Sequence, residues 1–337
     1  MPILSSLPGN RGDRMDQSSD VTVLICTWNR ASLLEETLVS LRGMNVPFTS
    51  RWEVVVVDNN SADGTADVVA RLSRSFPTRL DYVFEPRQGK SHAMNAGVSA
   101  SSYPIVAFCD DDVRVHRAWL TAAAAAFRDR PDIAYVGGPV DPIWEQPCPA
   151  WFAHTGKLLW GTLAILDYGD EPFVFEERRR VPLGANFAIR RGLFDQVGGF
   201  DPAFGRNSES LLLGQEVPEF FARAREVSAR GLYLPAMRVQ HHVPARRLRP
   251  EYFRRWWYGK GISRARMERA HPITELGLDL SRVPTVAGVP RFLFGTAVRD
   301  AVRWLKAAAR GDRGQRFAAE TQLCYFGGQL RERWRQR

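Results

Sequence analysis

Cysteine is scarce in this chain. Its four residues among 337, Cys26, Cys109, Cys148 and Cys324, lie far apart, form no CxxC pair and build no dense framework of the kind small secreted domains use. That excludes a disulfide scaffold and points to a reducing, cytoplasmic compartment. Long apolar runs are missing too: no stretch would span a bilayer. The first residues lack the apolar core of a signal peptide and carry Pro8, Gly9, Arg11, Asp13 and Arg14 instead. Residues 1–19 are therefore expected to be a disordered leader, with Met15 a second plausible start.

What the chain has is enough apolar side chain, 45% of the total, to bury one large core or two modest ones. Its net charge of +9 is uneven: from Arg246 onward there are 21 Lys/Arg against 8 Asp/Glu, a net +13, and the preceding part is net −4. A basic C-terminal surface facing phosphates follows, either of an anionic membrane or of a lipid-linked substrate, and not a domain built for nucleic acid. The expected location is cytoplasmic, peripheral on the inner face of the membrane.

Strands and helices alternate along the first half. Val21 to Cys26 is a nearly continuous apolar run ending at Thr27-Trp28-Asn29-Arg30, followed by helical spacing at Leu34, Leu38 and Leu41. Trp52 to Val57 ends at Asp58-Asn59-Asn60-Ser61 and leads to a helix over Thr65 to Phe76, then a short strand around Tyr82 to Glu85. A helix near Ser91 to Ala100 precedes the strand Ile105 to Cys109, which ends at Asp110, Asp111 and Asp112. This pattern predicts an α/β fold, a mostly parallel sheet with helices on both faces, whose ligands bind beyond the carboxyl ends of the strands. Thr27, Asp58 and Asp110 all fall there.

A helix at Ala118 to Arg128 and a strand near Ile133 to Gly137 follow. Asp141 to Pro182, rich in Pro and Trp, reads as an irregular excursion over one edge of the site. Order resumes at Gly184 to Ile189, with a helix near Glu216 to Ser228 and a strand at Met237 to Gln240. From Pro250 the pattern is helical and basic, and Phe294, Val298, Ala301 or Val302, and Leu305 form one apolar stripe. The stripe suits an interfacial helix or one packed on the remaining protein.

Three adjacent carboxylates repel one another. A divalent cation relieves that repulsion, and hard oxygen ligands select Mn2+ or Mg2+. The alternative is a solvated acidic turn, against which stand the apolar strand before Asp110 and two further polar strand ends beside it.

The order of Thr27-Trp28-Asn29-Arg30, Val57-Asp58-Asn59-Asn60-Ser61-Ala62-Asp63-Gly64-Thr65 and Phe108-Cys109-Asp110-Asp111-Asp112 resembles family 2 glycosyltransferases with a GT-A fold, over about Val21 to Gly261. The resemblance implies a GT-A catalytic domain over 20–249 and a basic, partly amphipathic helical region over 250–337. It implies metal-assisted, inverting transfer of a sugar from a nucleotide-diphosphate sugar, a UDP-sugar first, to a sugar or lipid-linked acceptor in cell-surface polysaccharide or glycolipid synthesis. Thr27, Asn29 and Arg30 would line the nucleotide pocket with Asn60, Asp58 would accept a hydrogen bond from the base, and Asp110 and Asp112 would be the DxD pair. Asp112 would be the metal ligand, with Asp110 sharing the cation or near the ribose and Asp111 on the donor side.

In Gly89-Lys90-Ser91-His92-Ala93-Met94-Asn95-Ala96-Gly97, Lys90 would reach a phosphate and Asn95 would position donor or sheet. Gly184, Ala185 and Asn186 would face the acceptor, and His241 would approach the metal or diphosphate. Arg254 to Lys260 is read as a site for lipid phosphate; it lacks the Gln-x-x-Arg-Trp of processive members, which favours single-sugar transfer.

One departure matters: the family's Glu-Asp pair, whose Asp is the catalytic base, is matched at Glu216 by Glu and at Val217 by a side chain that cannot accept a proton. Glu216 is the expected base; Glu219, or a chain without transfer activity, remains open. Two other classes stay in view. A nucleotidyltransferase should carry a Gly- and Arg-rich phosphate loop after its first strand, for which Thr27 to Arg30 is a poor substitute. A non-catalytic nucleotide-sugar-binding or membrane-scaffolding protein would fit Val217 and the basic tail.

Overall fold

The computed structural model describes residues 19–46, 50–153, 155–178, 180–206, 214–272 and 278–335. Ser19 apart, the expected leader lies outside the described residues.

The chain runs β1 (Val21–Thr27), α1 (Ala31–Arg42), β2 (Trp52–Asp58), α2 (Thr65–Ser73), β3 (Arg79–Phe84), α3 (Lys90–Ala100) and β4 (Ile105–Asp110). It continues through β5 (Val113–Val115), α4 (Trp119–Asp129), β6 (Tyr135–Gly137), β7 (Val140–Trp144), α5 (Ala150–Ala153), β8 (Phe173–Val174) and β9 (Asn186–Arg190). Then come α6 (Gly192–Val197), α7 (Glu216–Glu226), β10 (Gly231–Tyr233), β11 (Val239–Val243), α8 (Pro250–Ala270), β12 (Thr285–Val286), β13 (Val289–Pro290), α9 (Arg291–Ala309) and α10 (Arg313–Arg335).

The main sheet has the order β3-β2-β1-β4-β9-β6-β10-β8. β3, β2, β1 and β4 are mutually parallel, and β9 is antiparallel to both β4 and β6. This is the expected α/β architecture. Within β1, Val23 and Ile25 enter one apolar cluster with α1, α2 and α4, while Leu24 enters another with α3, α6 and α7; Val54 and Val56 against Val55 and Val57 divide β2 the same way. Strands buried on both faces explain the unbroken apolar runs. Their register also sets the site: Thr27 pairs with Asp58, and Cys26 with Asp110, so the polar strand ends emerge side by side.

Three features differ from the sequence reading. Residues 141–182 border the site, where Pro142 pairs with His241, but they are not irregular. They contain part of β7, α5, a 3-10 helix at Gly156–Leu163 and β8. Their aromatics divide between two cores: Trp151 packs 5.1 Å from Phe253 and 4.8 Å from Phe317, in a third cluster with Phe152, Leu159, Leu163 and Trp257, whereas Phe173 and Phe175 pack with Tyr135 and Tyr233 of the main sheet. The last strand, β11, runs to Val243, so His241 lies inside it rather than after it. And the segment Arg254 to Lys260 is bound up in helix packing, with Arg254 Nε 2.6 Å from Glu320 and Lys260 over the rings of Trp256 and Trp257.

The C-terminal helices cross closely. A Cβ on Gly261 would sit 2.1 Å from the Tyr325 carbonyl oxygen, and one on Gly328 2.1 Å from that of Tyr258, so only glycine lets α8 and α10 meet here. Among the described residues, no helix is long and apolar enough to cross a membrane.

Candidate active site

The floor of the site is the turn from β4 into β5. Thr37, a polar residue on the otherwise apolar inner face of α1, holds it: its hydroxyl lies 2.9 Å from the carbonyls of both Asp111 and Val113. The three carboxylates then part company. Asp111 points into the protein, where Thr27 Oγ1 donates to Oδ2 at 2.8 Å and Arg30 donates to Oδ1 at 2.8 Å. Burial, partly offset by Arg30, pushes Asp111 up to about 6. Buried and bonded through both oxygens, Asp111 organises the turn. Thr27, buried and donating to Asp111, takes part in the same support.

Asp110 accepts from Lys90 Nζ at 2.8 Å. Burial would raise its pKa, but Lys90, with His241 and Arg206 nearby, holds it below the usual carboxylate range. Asp112 accepts from Arg30 at 2.9 Å through Oδ2, while its Oδ1 is buried without a hydrogen bond and lies 3.4 Å from His241 Nε2. The pairing of β11 with β5 puts His241 opposite Val113, and the His242 amide donates to the Asp112 carbonyl at 2.8 Å. Burial lowers the His241 pKa, keeping the imidazole neutral and able to offer a lone pair.

Among the described residues, no three His, Cys, Asp or Glu side chains form a closed cage. The donor set that is present suits an open site. Asp112 Oδ1 is an orphaned buried acceptor, which costs free energy until something positive meets it. One or two carboxylates completed by substrate phosphates is also how Mg2+-like ions are ordinarily held. Asp112 with His241 fits such an ion; Asp110 spends its Oδ1 on Lys90.

The loops after β1 and β2 are laced together. Asn29 donates its amide to Ser61 Oγ at 2.9 Å and accepts from the Ala62 amide at 2.7 Å, and Asp63 caps α1 by accepting from the Ala31 amide at 2.9 Å. Asn29 and Asn60 both take left-handed backbone, φ 52° and 66°, which asparagine tolerates better than other side chains. Asp58 accepts from the Ser61 amide at 2.8 Å and from the Tyr82 hydroxyl at 2.7 Å. These bonds fix its position at the strand end. Asn59, passed over in the sequence reading, spans the loop before α3: Nδ2 donates to the carbonyls of Glu85 and Arg87, and Oδ1 accepts from the Gly89 amide. That loop presents Lys90.

Two expectations give way here. Asn95 bonds the Phe200 backbone twice, at 2.8 Å each, and secures the Gly198-Gly199-Phe200 turn, so it positions structure rather than donor. Asn186 is fully buried; it accepts from Trp119 Nε1 at 2.8 Å and donates to the carbonyls of Pro139 at 3.0 Å and Met237 at 2.6 Å. With its bonding capacity spent inside the protein, it cannot contact an acceptor. Ala185 is also buried, and Gly184 lies against Val217.

Helix phase separates the residues at the start of α7. Val217 turns into the apolar core with Phe220 and Phe221. Glu219 is buried and engaged, 2.6 Å from Arg223 Nε and 2.9 Å from His271 Nε2. Glu216 is buried with Oε2 unpartnered, close enough to raise the pKa values of Lys90 and Cys26, whose strand runs beside Asp110. Arg206 and Arg247, also unnoticed in the sequence, supply positive charge near Asp110 and His241 respectively. Both lie outside the strand-end motifs, so only their basic character hinted at a role.

This fold and this site define a GT-A-like α/β enzyme. The chain belongs to glycosyl transferase family 2, whose profile matches residues 22–198. It is 26% identical over 261 residues to the glucosyl-dolichyl phosphate glucuronosyltransferase of Haloferax volcanii, covering 75% of this chain and 78% of that one. It is 28% identical to the succinoglycan biosynthesis protein ExoM of Rhizobium meliloti, over 77% of this chain and 79% of that protein. Its fold is similar to that of a mannosyltransferase from Pyrobaculum calidifontis solved with GDP-Man and Mn2+, with a TM-score of 0.61 and 21% identity over 94% of this chain and 88% of that one. The protein is thus a glycosyltransferase.

Proposed function

We propose that this enzyme transfers one sugar, with inversion and metal assistance, from a nucleotide-diphosphate sugar to an acceptor hydroxyl in glycolipid or polysaccharide synthesis. One observation carries the reading. Among the described residues, Asp112 Oδ1 and Glu216 Oε2 are the buried carboxylate oxygens without a hydrogen-bond partner, and both belong to the carboxyl edge of the sheet. One is suited to a cation and the other to a proton.

Glu216 accepts the proton of the acceptor hydroxyl, and that oxygen forms the new bond to the anomeric carbon as the bond from that carbon to the nucleoside diphosphate breaks. Attack opposite the leaving group inverts the configuration. Mn2+ or Mg2+ held by Asp112 and His241 would stabilise charge on the departing diphosphate. Lys90, Arg206 and Arg247 add positive charge around it, and Asn29, Asn60 and Asp58 shape the nucleoside end. The orientations of Glu216 and Val217 favour placing Gln215-Glu216, rather than Glu216-Val217, on the family's Glu-Asp pair. The base is then present one residue earlier and valine is an ordinary core residue.

A mannosyltransferase of this fold binds GDP-Man and relatives act on lipid-linked or polysaccharide substrates, which widens the donor panel beyond UDP-sugars. The test is release of nucleoside diphosphate from UDP- and GDP-sugars with Mn2+ and a lipid-linked or oligosaccharide acceptor, followed by NMR of the product anomer. Consumption of one donor with inverted linkage supports the proposal. Retained configuration, or no donor consumed, refutes it.

A further inference from the structure

Helix α9 has three faces where an ordinary surface helix has two. Leu293, Asp300 and Ala307, one per two turns, are buried against the protein. Arg299, Arg303 and Lys306, continued by Arg310 just past the helix end, form a second row at spacings of four, three and four, all exposed. A third row, Val298, Val302 and Leu305, also faces solvent, with Val298 64% and Leu305 61% exposed. Single exposed apolar residues need no explanation, but a ridge on consecutive turns beside a basic row does.

We propose that α9 is a docking surface for an anionic lipid bilayer, lying in the interface plane with its apolar ridge among the acyl chains and its basic row on the headgroups. The charge decides the occupant. The sole acidic residue of α9, Asp300, is buried, and Arg303 lies 3.1 Å from it, so the exposed face is wholly cationic. A second copy would set two such rows against each other, whereas an anionic surface meets them with opposite charge. A ridge of this kind supports lying on a membrane, not crossing one. The inference is independent of the proposed chemistry.

The test is flotation of the full chain with vesicles of equal parts phosphatidylcholine and phosphatidylglycerol, against pure phosphatidylcholine. The wild type is expected to float with the anionic vesicles alone. Arg299→Gln with Lys306→Gln weakens partition about thirtyfold, and Val298→Ser with Leu305→Ser at least about tenfold. Both variants keep the wild-type melting curve and turnover of donor. Binding equal for both vesicle types, no binding at all, or binding unchanged in both variants overturns the proposal. So does a dimer in light scattering that Val298→Ser with Leu305→Ser dissolves.

Discussion

Replacing Asn186 by alanine separates a structural role from an acceptor-binding one. The side chain is fully buried and makes three hydrogen bonds, to the Trp119 indole and the carbonyls of Pro139 and Met237. At a net of about 1 kcal/mol for each, their loss costs about 3 kcal/mol. Trp119 is itself completely buried, so its N–H is left without an acceptor, and with the small cavity the expected loss is about 3–5 kcal/mol. Urea unfolding followed by tryptophan fluorescence reads this as a lower midpoint at unchanged slope. Asn186→Asp should do at least as badly: it keeps an acceptor for Trp119 but turns a carboxylate towards two carbonyl oxygens. At a temperature where the alanine variant is still folded, its acceptor KM should equal the wild type's. An unfolding midpoint within about 0.5 kcal/mol of wild type, with a raised acceptor KM, would refute the reasoning and return Asn186 to the acceptor site.

Asp112→Asn should abolish the extra thermal stabilisation that Mn2+ gives in the presence of a nucleoside diphosphate, because the amide has lost the charge that draws the cation; an undiminished metal-dependent shift would count against Asp112 as ligand. Glu85, hydrogen-bonded and paired to Arg87, titrates in the folded state at about 2, below the ordinary value of about 4.3. Its contribution is therefore complete above the ordinary value and lost as pH falls towards about 2, so Glu85→Gln should flatten the acid slope of stability, by less than about 1 kcal/mol because Arg87 is well exposed. Parallel slopes in urea titrations of the two proteins would contradict this. Gly138→Ala should fail to fold stably, since its Cβ would fall 1.8 Å from the Met237 carbonyl oxygen; a variant melting like wild type would show that this backbone can move.

The strand ends were legible because unbroken apolar runs stopping at Thr27, Asp58 and Asp110 carry both fold and position: parallel neighbours in register must release those residues together. The division of labour among Asp110, Asp111 and Asp112 was not legible. It depends on Lys90, on Thr27 and Arg30, and on His241, which come from three other segments. Asn186 misled for the same reason, since its partner Trp119 is 67 residues away in sequence. The aromatics of residues 141–182 signalled order correctly, but the partners of Trp151 lie in α8 and α10 and those of Phe173 and Phe175 in the main sheet. The choice among Glu216, Val217 and Glu219 needed helix phase, which one residue of uncertainty at a helix start conceals.

The most direct measurement is single-turnover release of nucleoside diphosphate from the accepted donor, with Mn2+ and acceptor, by wild type and Glu216→Gln. The glutamine keeps the size of the side chain and removes its capacity to take a proton. The account predicts a rate lower by about 10² to 10⁴ with donor affinity unchanged. A rate equal to wild type would contradict it.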